Sequence, residues 1–309
     1  MQVYTDLSAV PTAERGISIG VFDGVHRGHR ELVRVLREAT ERRRWRALVL
    51  TFANHPQEVL NPPPPPLLTT IEERLELLRE TGADEVLVLP FTRDLSQFSA
   101  ERFCREVLVD ALGCRLLVVG HDFALGRQRE GTVPRLQELG LMLGFEVTVA
   151  PTVLEGGEPV SSSRIRQSLL VGAVAAANAL LGAPYRLRGV VVPGAGRGKR
   201  LGFPTVNLRV PANKLLPRHG IYAARFVAPM GTWGAAVYIG TRPTFGETQP
   251  VVEAHLLDFD GVIPLGTDAT VQLLSFVRPD QYFERTEDLI AQMQADVAAV
   301  RERLSRDGY

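Results

Sequence analysis

The first half of the chain alternates between short, almost wholly apolar runs and longer stretches with helical spacing. The apolar runs, which predict strands, cover residues 16–19, Arg46–Phe52, Glu85–Leu89, 115–119 and 145–149. The predicted helices between them cover residues 30–36, Ile71–Glu80 and 99–112. Strands that are apolar on both faces and are separated by amphipathic helices form a parallel sheet covered on both sides. The sequence therefore predicts an α/β domain whose ligands bind beyond the carboxyl ends of its strands.

The pattern changes near residues 182–184, Gly-Ala-Pro. Short alternating runs punctuated by Gly, Pro and Asp follow, at residues 187–192, 205–210, 222–227, 235–239, 251–259 and 270–276. This pattern predicts a small antiparallel barrel or sandwich, followed by one amphipathic helix over residues 286–304. A chain of 309 residues is long enough for two cores. We expect domains over residues 1–183 and 184–309.

Composition narrows the classes of partner. Lys plus Arg equals Asp plus Glu at 35 each, so no bulk positive field favours nucleic acid. The basic residues 42–46 are interpreted as a solvated helix end. Cys104 and Cys114 fit neither a metal spacing nor a disulfide framework and are expected to be packing residues. With no basic-apolar leader and no apolar run of about 18 residues, we expect a cytoplasmic protein without membrane contact. The oligomeric state stays open, a homo-oligomer included.

A glycine-rich turn joins the first predicted strand to the first predicted helix. Residues 20–29 read Gly-Val-Phe-Asp-Gly-Val-His-Arg-Gly-His, and His26 and His29 share a face of the opening helical turn. Such a turn directs backbone N–H groups and a helix N-terminus at one point, which suits a phosphate. The alternative is a plain strand-turn-helix with two surface histidines. The coincidence of strand, glycines, acid and histidines favours the phosphate site.

A cluster of hydroxyls and arginines precedes a predicted helical stretch over residues 167–181. The cluster consists of Ser161, Ser162, Ser163, Arg164, Ile165 and Arg166. The hydroxyls can simply cap the helix. The arginines add forked donors that suit phosphates. Together with the turn at residues 20–29, called the histidine turn below, the cluster therefore favours phosphate binding.

The second half contains a polar pair that suits a metal ion. Residues 194–200, Gly-Ala-Gly-Arg-Gly-Lys-Arg, do not form a Walker loop, because the spacing is one residue short and Arg200 replaces Ser or Thr. Thr205 and Asn207 lie two apart on a predicted strand, so their side chains share a face. A hydroxyl and an amide oxygen are hard ligands that suit Mg²⁺ shared with ATP phosphates. The alternative is a polar pair on a solvated strand face.

Glu253 lies within an otherwise apolar strand over residues 251–259. A half-buried carboxylate in such a strand can be a structural ion-pair partner. Burial also raises a carboxyl pKa towards that of a useful general base. Both readings remain open on the residues alone.

The first half resembles the FMN adenylyltransferase module of the bifunctional bacterial riboflavin kinase/FAD synthetases. The resemblance rests on the turn at residues 20–29, Thr-Phe-Ala-Asn-His-Pro at 51–56, Gly-His-Asp-Phe at 120–123, and residues 161–166, where Ser163 replaces a threonine. It implies a Rossmann-like nucleotidyltransferase domain in which the FMN phosphate attacks the α-phosphorus of ATP and pyrophosphate leaves. Such a reaction needs positioning and charge stabilisation, and no protein nucleophile.

The same resemblance implies roles for individual residues. His26 and His29 would hold ATP phosphates, and Arg166, assisted by Arg164, would neutralise the departing pyrophosphate. The further ATP-binding or phosphate-binding residues implied are Gly20, Phe22, Asp23, Gly28, Ser161, Ser162 and Ser163. The pocket residues implied for flavin and nucleotide are Asn54, Asp122 and Phe123.

The second half resembles the riboflavin kinase domain. The matching segments are Gly-Phe-Pro-Thr-Val-Asn at 202–207, Gly-Ile-Tyr at 220–222, Ile-Gly-Thr-Arg-Pro-Thr-Phe at 239–245 and Glu-Ala-His-Leu-Leu-Asp-Phe at 253–259. The resemblance implies that Glu253 is the base on the ribityl 5′-hydroxyl, which attacks the γ-phosphate of ATP. It also implies that Thr205 and Asn207 hold Mg²⁺.

The remaining residues implied for the kinase domain are ATP contacts and flavin contacts. The ATP contacts are Gly196, Gly198, Gly202 and Pro204, and the flavin contacts are Arg278 and Phe283. One segment departs from the family pattern, since Ile-Pro-Leu-Gly at residues 263–266 stands where the family has Leu-Tyr-Gly.

Taken together, the resemblances predict a bifunctional enzyme that makes FMN from riboflavin and then FAD from FMN, with ATP and Mg²⁺. Its expected partners are these small molecules. A different adenylyl- or cytidylyltransferase is the nearest rival, but those relatives lack the second-half segments. A flavin-binding or nucleotide-sensing regulator that has lost catalysis is a second rival. Retention of the implied catalytic residues argues against it.

Overall fold

The computed structural model describes residues 1–242 and 247–306. Part of the kinase-like segment at 239–245, namely Pro243, Thr244 and Phe245, therefore lies outside the described residues. The chain divides into two compact units, Met1–Ser161 and Ser162–Tyr309. The domain boundary expected between residues 183 and 184 stays a prediction. By spatial contact, residues 162–183 group with the second unit.

The first unit contains ten strands. They are β1 (Gln2–Tyr4), β2 (Arg15–Ile19), β3 (Arg46–Phe52), β4 (Glu85–Leu89), β5 (Cys114–Val119), β6 (Ala124–Leu125), β7 (Gly131–Thr132), β8 (Glu146–Val149), β9 (Leu154–Glu155) and β10 (Glu158–Pro159). Its α-helices are α1 (Arg27–Arg43), α2 (Gln57–Leu60), α3 (Ile71–Glu80), α4 (Arg93–Ser96), α5 (Ala100–Arg102) and α6 (Val133–Leu143). A π-helical segment, Phe103–Ala111, continues α5, and short 3₁₀ turns form at Leu7–Ala9 and Arg127–Arg129.

Six of these strands form one parallel sheet in the order β1-β4-β3-β2-β5-β8. All five residues of β2 and of β4 are buried, because hydrophobic clusters cover both faces of the sheet. The predicted α/β class and Rossmann-like parallel sheet are thereby confirmed. Since β2 pairs with both β3 and β5, the segments that follow these three strands emerge at one edge of the sheet.

The described residues of the second unit, 162–242 and 247–306, form four helices and six strands. The helices are α7 (Ser162–Leu170), α8 (Val174–Leu181), α9 (Arg197–Arg200) and α10 (Thr286–Arg306). The strands are β11 (Tyr185–Val192), β12 (Val206–Arg209), β13 (Gly220–Ala228), β14 (Gly231–Arg242), β15 (Glu247–Leu256) and β16 (Asp268–Pro279). They close into an antiparallel barrel in the order β11-β12-β15-β14-β13-β16, which confirms the predicted barrel followed by a helix.

Alternation along the barrel strands decides which side chains reach the surface. On β15, Val252, Ala254 and Leu256 are buried, whereas Glu253 and His255 are half-buried on the opposite face. A strand's side chains alternate between its two faces, so Glu253 and His255 point away from the barrel interior. Helix α10 packs on the outside of the barrel, with Val300 and Leu304 in one buried cluster with Ala223 and Leu257.

Two local features differ from, or bear on, the sequence predictions. The single helix expected over residues 167–181 is two helices, because Gly172 adopts a left-handed conformation (φ 82°) between them. Cys104 and Cys114 are both buried and free, as expected of packing residues, and burial raises the pKa of Cys104 to about 12. Among the described residues, no helix combines the length and apolarity that crossing a membrane requires.

Candidate active sites

The histidine turn ends at the N-terminus of α1, and both histidines lie there. His26 is the N-cap residue, and its Nδ1 accepts a hydrogen bond from the backbone N–H of His29 (3.3 Å). The two rings stack with centroids 3.6 Å apart and an interplanar angle of 17°. Because Nδ1 of His26 is an acceptor, a neutral His26 ring carries its proton on Nε2.

The turn holds three residues in left-handed backbone conformations: Phe22 (φ 52°), Gly24 (φ 85°) and Val25 (φ 40°). Such conformations are costly for Phe and Val and persist where the surroundings enforce them, often at functional sites. Phe22 is buried against His29, with ring centroids 5.0 Å apart.

The two remaining glycines of the turn allow close packing against these rings. A Cβ at Gly20 would lie 3.2 Å from the Phe22 ring, and one at Gly28 would lie 3.2 Å from the His26 ring. Both are tighter than ordinary carbon contacts. Gly20 and Gly28 thus let the aromatic rings lie directly on the backbone.

Asp23, a residue of the histidine turn, is buried, with 1% of its surface exposed. Its carboxylate accepts hydrogen bonds from the backbone N–H groups of Leu68 (3.0 Å) and Thr69 (2.9 Å) and from the Thr69 hydroxyl (3.1 Å). The same hydroxyl accepts from the N–H of Gly24 (3.0 Å). Asp23 therefore ties the turn to the segment that leads into α3.

Arg74 on α3 is a buried residue of this site that the sequence analysis missed. It is 1% exposed, and its Nη1 donates to the carbonyl of Phe52 (2.8 Å) and to the hydroxyl of Thr51 (3.3 Å). Thr51 in turn donates to the carbonyl of Val21 in the turn (2.9 Å). A signal was available, because Arg74 shares the apolar face of its helix with Leu77 and Leu78, three and four residues later.

The charge state of His29 follows from its surroundings. Burial, the neighbouring His26 and the cation of Arg74 together hold the pKa of His29 well below its ordinary value of 6.5. His29 is therefore a neutral imidazole near pH 7. Its Nδ1 is buried and has no hydrogen-bond partner among the described residues.

The predicted flavin residues of the first unit lie at the same edge of the sheet. Asn54 pairs in both directions with the backbone of Phe91, since its Nδ2 donates to the carbonyl (3.1 Å) and its Oδ1 accepts from the N–H (2.8 Å). Asn54 thereby links the ends of β3 and β4. Asp122 is exposed, and Phe123 is half-buried against the core.

The hydroxyl-arginine cluster lies at the division between the two units. Ser161 closes the first unit, and the carbonyl of the preceding Val160 lies 3.6 Å from where a Cβ of Gly28 would stand. Ser162, Ser163, Arg164 and Arg166 belong to α7, so the hydroxyls lie at a helix start as expected. The joint action of Arg166 with His26 and His29 stays a prediction.

In the second unit, a cavity of about 270 Å³ opens on the outer face of the barrel beside α10. Its lining includes these predicted residues: Gly198, Thr205, Glu253, Arg278 and Phe283. The strands supply one wall, and Leu289, Met293 and Val297 of α10 supply another. The structure thus brings the predicted base, one predicted metal ligand and both predicted flavin contacts to one cavity.

Glu253 lies in the middle of a row that crosses three strands. It is the register partner of Asn207 on β12 and of Tyr238 on β14. Directly paired residues share a face of a sheet, so all three side chains point outward together. Before β12, residues 194–204 form a glycine-rich segment, called the glycine loop below. The side chain of Asn207 lies against this loop, as a Cβ on Gly194 would stand only 2.1 Å from its Nδ2.

The glycine loop is ordered by contacts around Phe203. Gly196 (φ 69°) and Gly202 (φ 88°) take left-handed conformations, and a Cβ on Gly198 would stand 2.2 Å from the carbonyl oxygen of Phe203. The Nδ1–H of His255 donates to the carbonyl of Pro204 (2.9 Å). The loop is therefore held to β15 two residues beyond Glu253.

The flavin contacts predicted for the kinase domain are fixed by α10. Arg278 forms a two-point ion pair with Asp296, with Nε and Nη2 each 2.7 Å from a carboxylate oxygen. Its guanidinium carbon lies 6.0 Å from the centroid of the Phe283 ring. Tyr238, which the sequence analysis missed, has its hydroxyl 2.9 Å from the carbonyl of Thr241 and 3.0 Å from a carboxylate oxygen of Asp280.

Comparison with known proteins identifies both units. A model of the FAD synthetase family matches residues 11–164, and a model of the riboflavin kinase family matches residues 181–304. The bifunctional riboflavin kinase/FMN adenylyltransferase of Escherichia coli (strain K12) is 36% identical over 300 residues, which cover 96% of this chain and 95% of that protein. The chain belongs to the bifunctional riboflavin kinase/FMN adenylyltransferase family.

Other riboflavin kinase/FMN adenylyltransferases agree. The protein of Listeria monocytogenes is 33% identical and covers 95% of this chain and 91% of its own length. A solved structure titled as a macrolide-efflux protein from Streptococcus pneumoniae has a TM-score of 0.88 at 29% identity and covers 97% of this chain and 98% of its own. That title describes the S. pneumoniae protein; for this chain the comparison shows a shared fold.

Membership of the riboflavin kinase/FMN adenylyltransferase family confirms the predicted bifunctional enzyme. The kinase domain phosphorylates riboflavin to FMN with ATP, and the FAD synthetase domain transfers an adenylyl group from ATP to FMN. The rival prediction of a different nucleotidyltransferase does not account for the riboflavin kinase match over residues 181–304.

Proposed function

We propose that Glu253 is the general base of the kinase reaction and that Thr205 and Asn207 hold Mg²⁺ beside it. The observation that carries this proposal is the register of Glu253 opposite Asn207, with Thr205 and Glu253 lining one cavity. Glu253 accepts the proton of the ribityl 5′-hydroxyl while that oxygen attacks the γ-phosphorus of ATP. ADP leaves. A carboxylate on a sheltered strand face suits this role.

The oxygen donors beside Glu253 fit a magnesium ion. The Thr205 hydroxyl and the Asn207 amide oxygen are hard ligands, and Mg²⁺ commonly combines one or two protein ligands with phosphate oxygens. Among the described residues, no group of three or more His, Cys, Asp or Glu could hold a metal alone. This agrees with an ion that depends on ATP for its remaining ligands. When bound, it would offset the charge of the transferring phosphate.

For adenylyl transfer, we propose that the histidine turn binds the phosphates of ATP. The N-terminus of α1, a helix of 17 residues, favours an anion, and His26 can donate from Nε2. The FMN phosphate attacks the α-phosphorus and pyrophosphate leaves, with Arg166 and Arg164 neutralising it. Ser161, Ser162, Ser163, Gly20, Phe22, Asp23 and Gly28 shape or contact the phosphate site. Asn54, Asp122 and Phe123 shape the flavin and nucleotide pockets.

In the kinase domain, we propose that Arg278 and Phe283 contact riboflavin. Gly196, Gly198, Gly202 and Pro204 form the loop over ATP. A cytoplasmic location and the absence of a nucleic-acid partner remain predictions, and the oligomeric state stays open.

A reciprocal experiment tests the assignment of two separate sites. Each variant receives either riboflavin or FMN, together with ATP and Mg²⁺, and the flavins are separated by chromatography. His29→Ala should lose FAD formation from FMN by roughly 10²–10³-fold and keep FMN formation. Glu253→Gln should show the opposite pattern. Equal loss of both reactions in either folded variant contradicts the assignment.

A further inference from the structure

Helix α3 holds the histidine turn at two separate points. At its N-terminal approach, Leu68 and Thr69 bind the carboxylate of Asp23. One helical turn into α3, Arg74 is linked through Thr51 to the carbonyl of Val21, two residues before Asp23.

We propose that Arg74 is a positioning residue for FMN adenylylation, holding the histidine turn in its strained form through Thr51 and placing a fixed positive charge beneath it. The proposal rests on the proposed function of the turn as the site of the ATP phosphates. Arg74 is 1% exposed, so we assign it a positioning role and no contact with substrate. It acts on the backbone from which His26 and His29 project.

The first argument is geometric. Arg74 Nη1 donates to the carbonyl of Phe52, the last residue of β3, and to Thr51 beside it. Thr51 donates to the carbonyl of Val21, the residue before Phe22 with its left-handed conformation. Strained conformations persist only when surrounding contacts over-determine them. The link from Arg74 through Thr51 supplies one such contact, and Asp23 supplies the other.

The second argument is electrostatic. A buried guanidinium carries a large desolvation cost, and Nε of Arg74 has no hydrogen-bond partner among the described residues. Both hydrogen-bond acceptors of Arg74, the Phe52 carbonyl and the Thr51 hydroxyl, are neutral. The nearby carboxylate of Asp23 interacts electrostatically with the Arg74 cation, while its oxygens accept hydrogen bonds from residues 68 and 69. A purely mechanical support could be built from apolar side chains. The cation of Arg74 also offsets the buried carboxylate of Asp23, which would otherwise disfavour an anionic triphosphate above the turn.

The test compares variants that separate charge, hydrogen bonding and volume. Arg74→Met keeps most of the volume and removes the charge and hydrogen bonds. Arg74→Lys keeps the charge and a single donor. Thr51→Val removes only the linking hydroxyl. Arg79→Met is the matched control, because Arg79 is an exposed arginine on the same helix.

For each variant, kcat and the KM for ATP are measured for FMN adenylylation. Circular dichroism checks that the variant is folded, and riboflavin phosphorylation by the same molecules checks that the effect is confined to adenylylation. Arg74→Met should lower kcat/KM for adenylylation by about 10²-fold, the effect of a misplacement of about 1 Å. Arg74→Lys should have a kcat/KM about tenfold higher than Arg74→Met, because its KM for ATP is lower. Thr51→Val should lower kcat by about tenfold. Arg79→Met should be unchanged.

Three outcomes overturn the inference. One is adenylylation by Arg74→Met within about twofold of the unaltered enzyme. Another is equal loss in Arg74→Lys and Arg74→Met with Thr51→Val unaffected, which describes a packing role. If Arg74→Met fails to fold, full activity in both Arg74→Lys and Thr51→Val also overturns it. A parallel His29→Ala measurement separates the two hypotheses, because unaltered adenylylation in that variant contradicts the proposed function of the turn itself.

Discussion

Glu253 faces Asn207 directly across two paired strands of the barrel. In the roles proposed for them, this pairing would bring a proton acceptor and a metal ligand to the same side of a bound phosphate. Thr205, two residues before Asn207, lines the same cavity as Glu253. This arrangement makes the contributions of the three side chains separable by mutation.

Asn207→Ala should raise the Mg²⁺ concentration needed for half-maximal riboflavin phosphorylation, because the ion loses one of its two protein ligands. The magnesium requirement of FMN adenylylation should not change. Titration of Mg²⁺ at fixed ATP in both assays checks this. Asn213→Ala, which alters an exposed asparagine of the same unit, is the control. An unchanged titration would mean that Asn207 does not bind the ion.

Glu253→Gln keeps the side-chain length and hydrogen bonding but cannot accept a proton. General base catalysis contributes about 10²–10⁴-fold, so kcat for FMN formation should fall by that order. The KM for riboflavin should change little, because the cavity walls are intact. Steady-state kinetics with riboflavin as the varied substrate distinguish the two parameters. If the damage lies wholly in KM, Glu253 is a binding residue.

Gly194→Ala should impair the kinase through sterics alone. Its Cβ would stand 2.1 Å from Nδ2 of Asn207, so the amide or the loop must move. A displacement of about 1 Å typically costs about 10²-fold, and FAD formation from supplied FMN should be untouched. Ala195→Val adds bulk at the exposed neighbouring residue and should be nearly silent. Normal phosphorylation by the Gly194 variant would show that Asn207 need not stay where it is.

The lowered pKa of His29 predicts a loss of stability in acid. Below pH 6.5, the ordinary pKa of histidine, the unfolded chain binds a proton that folded His29 resists. The free energy of unfolding should therefore decrease as the pH is lowered below 6.5. The contribution of this group is at most about 1.4 kcal/mol per pH unit. His29→Gln removes the group, so its unfolding midpoint should depend less on pH. Thermal unfolding between about pH 5 and about pH 7 tests this, and parallel curves for the two proteins would refute it.

The sequence predicted best those elements whose signals are local. Arg46–Phe52, Ile71–Glu80 and Glu85–Leu89 were predicted to the residue. Apolar runs define the two strands, and Thr70 with Glu73 forms a capping box at the start of the helix. The short strand Gln2–Tyr4 was missed, because three residues carry too little pattern. The single helix expected over residues 167–181 was wrong, because Gly172 interrupts it.

Site residues were predictable where a motif is contiguous and hidden where the contact is long-range. The histidine turn, Thr205 and Glu253 could be found from short segments. The position of Arg74 on the apolar face of its helix indicates burial, but its partners Thr51 and Phe52 lie 23 and 22 residues earlier and could not be predicted. The hydrogen bonds from Leu68 and Thr69 to Asp23 likewise join residues that lie 45 and 46 positions apart in the chain. Such pairings depend on the order of strands in the sheet, which local periodicity does not specify.

The use of α10 as a wall of the kinase cavity has a consequence during synthesis. Domains generally fold as they emerge from the ribosome, amino-terminal first. A nascent chain that has emerged only through β16 has all six barrel strands but lacks Leu289, Met293 and Val297, so its cavity is open on one side. The histidine turn and the residues that hold Asp23, Leu68 and Thr69, lie within the first 161 residues and are already complete. On the proposed assignment of the two sites, the histidine turn for the later chemical step is therefore complete before the cavity for the earlier step is closed.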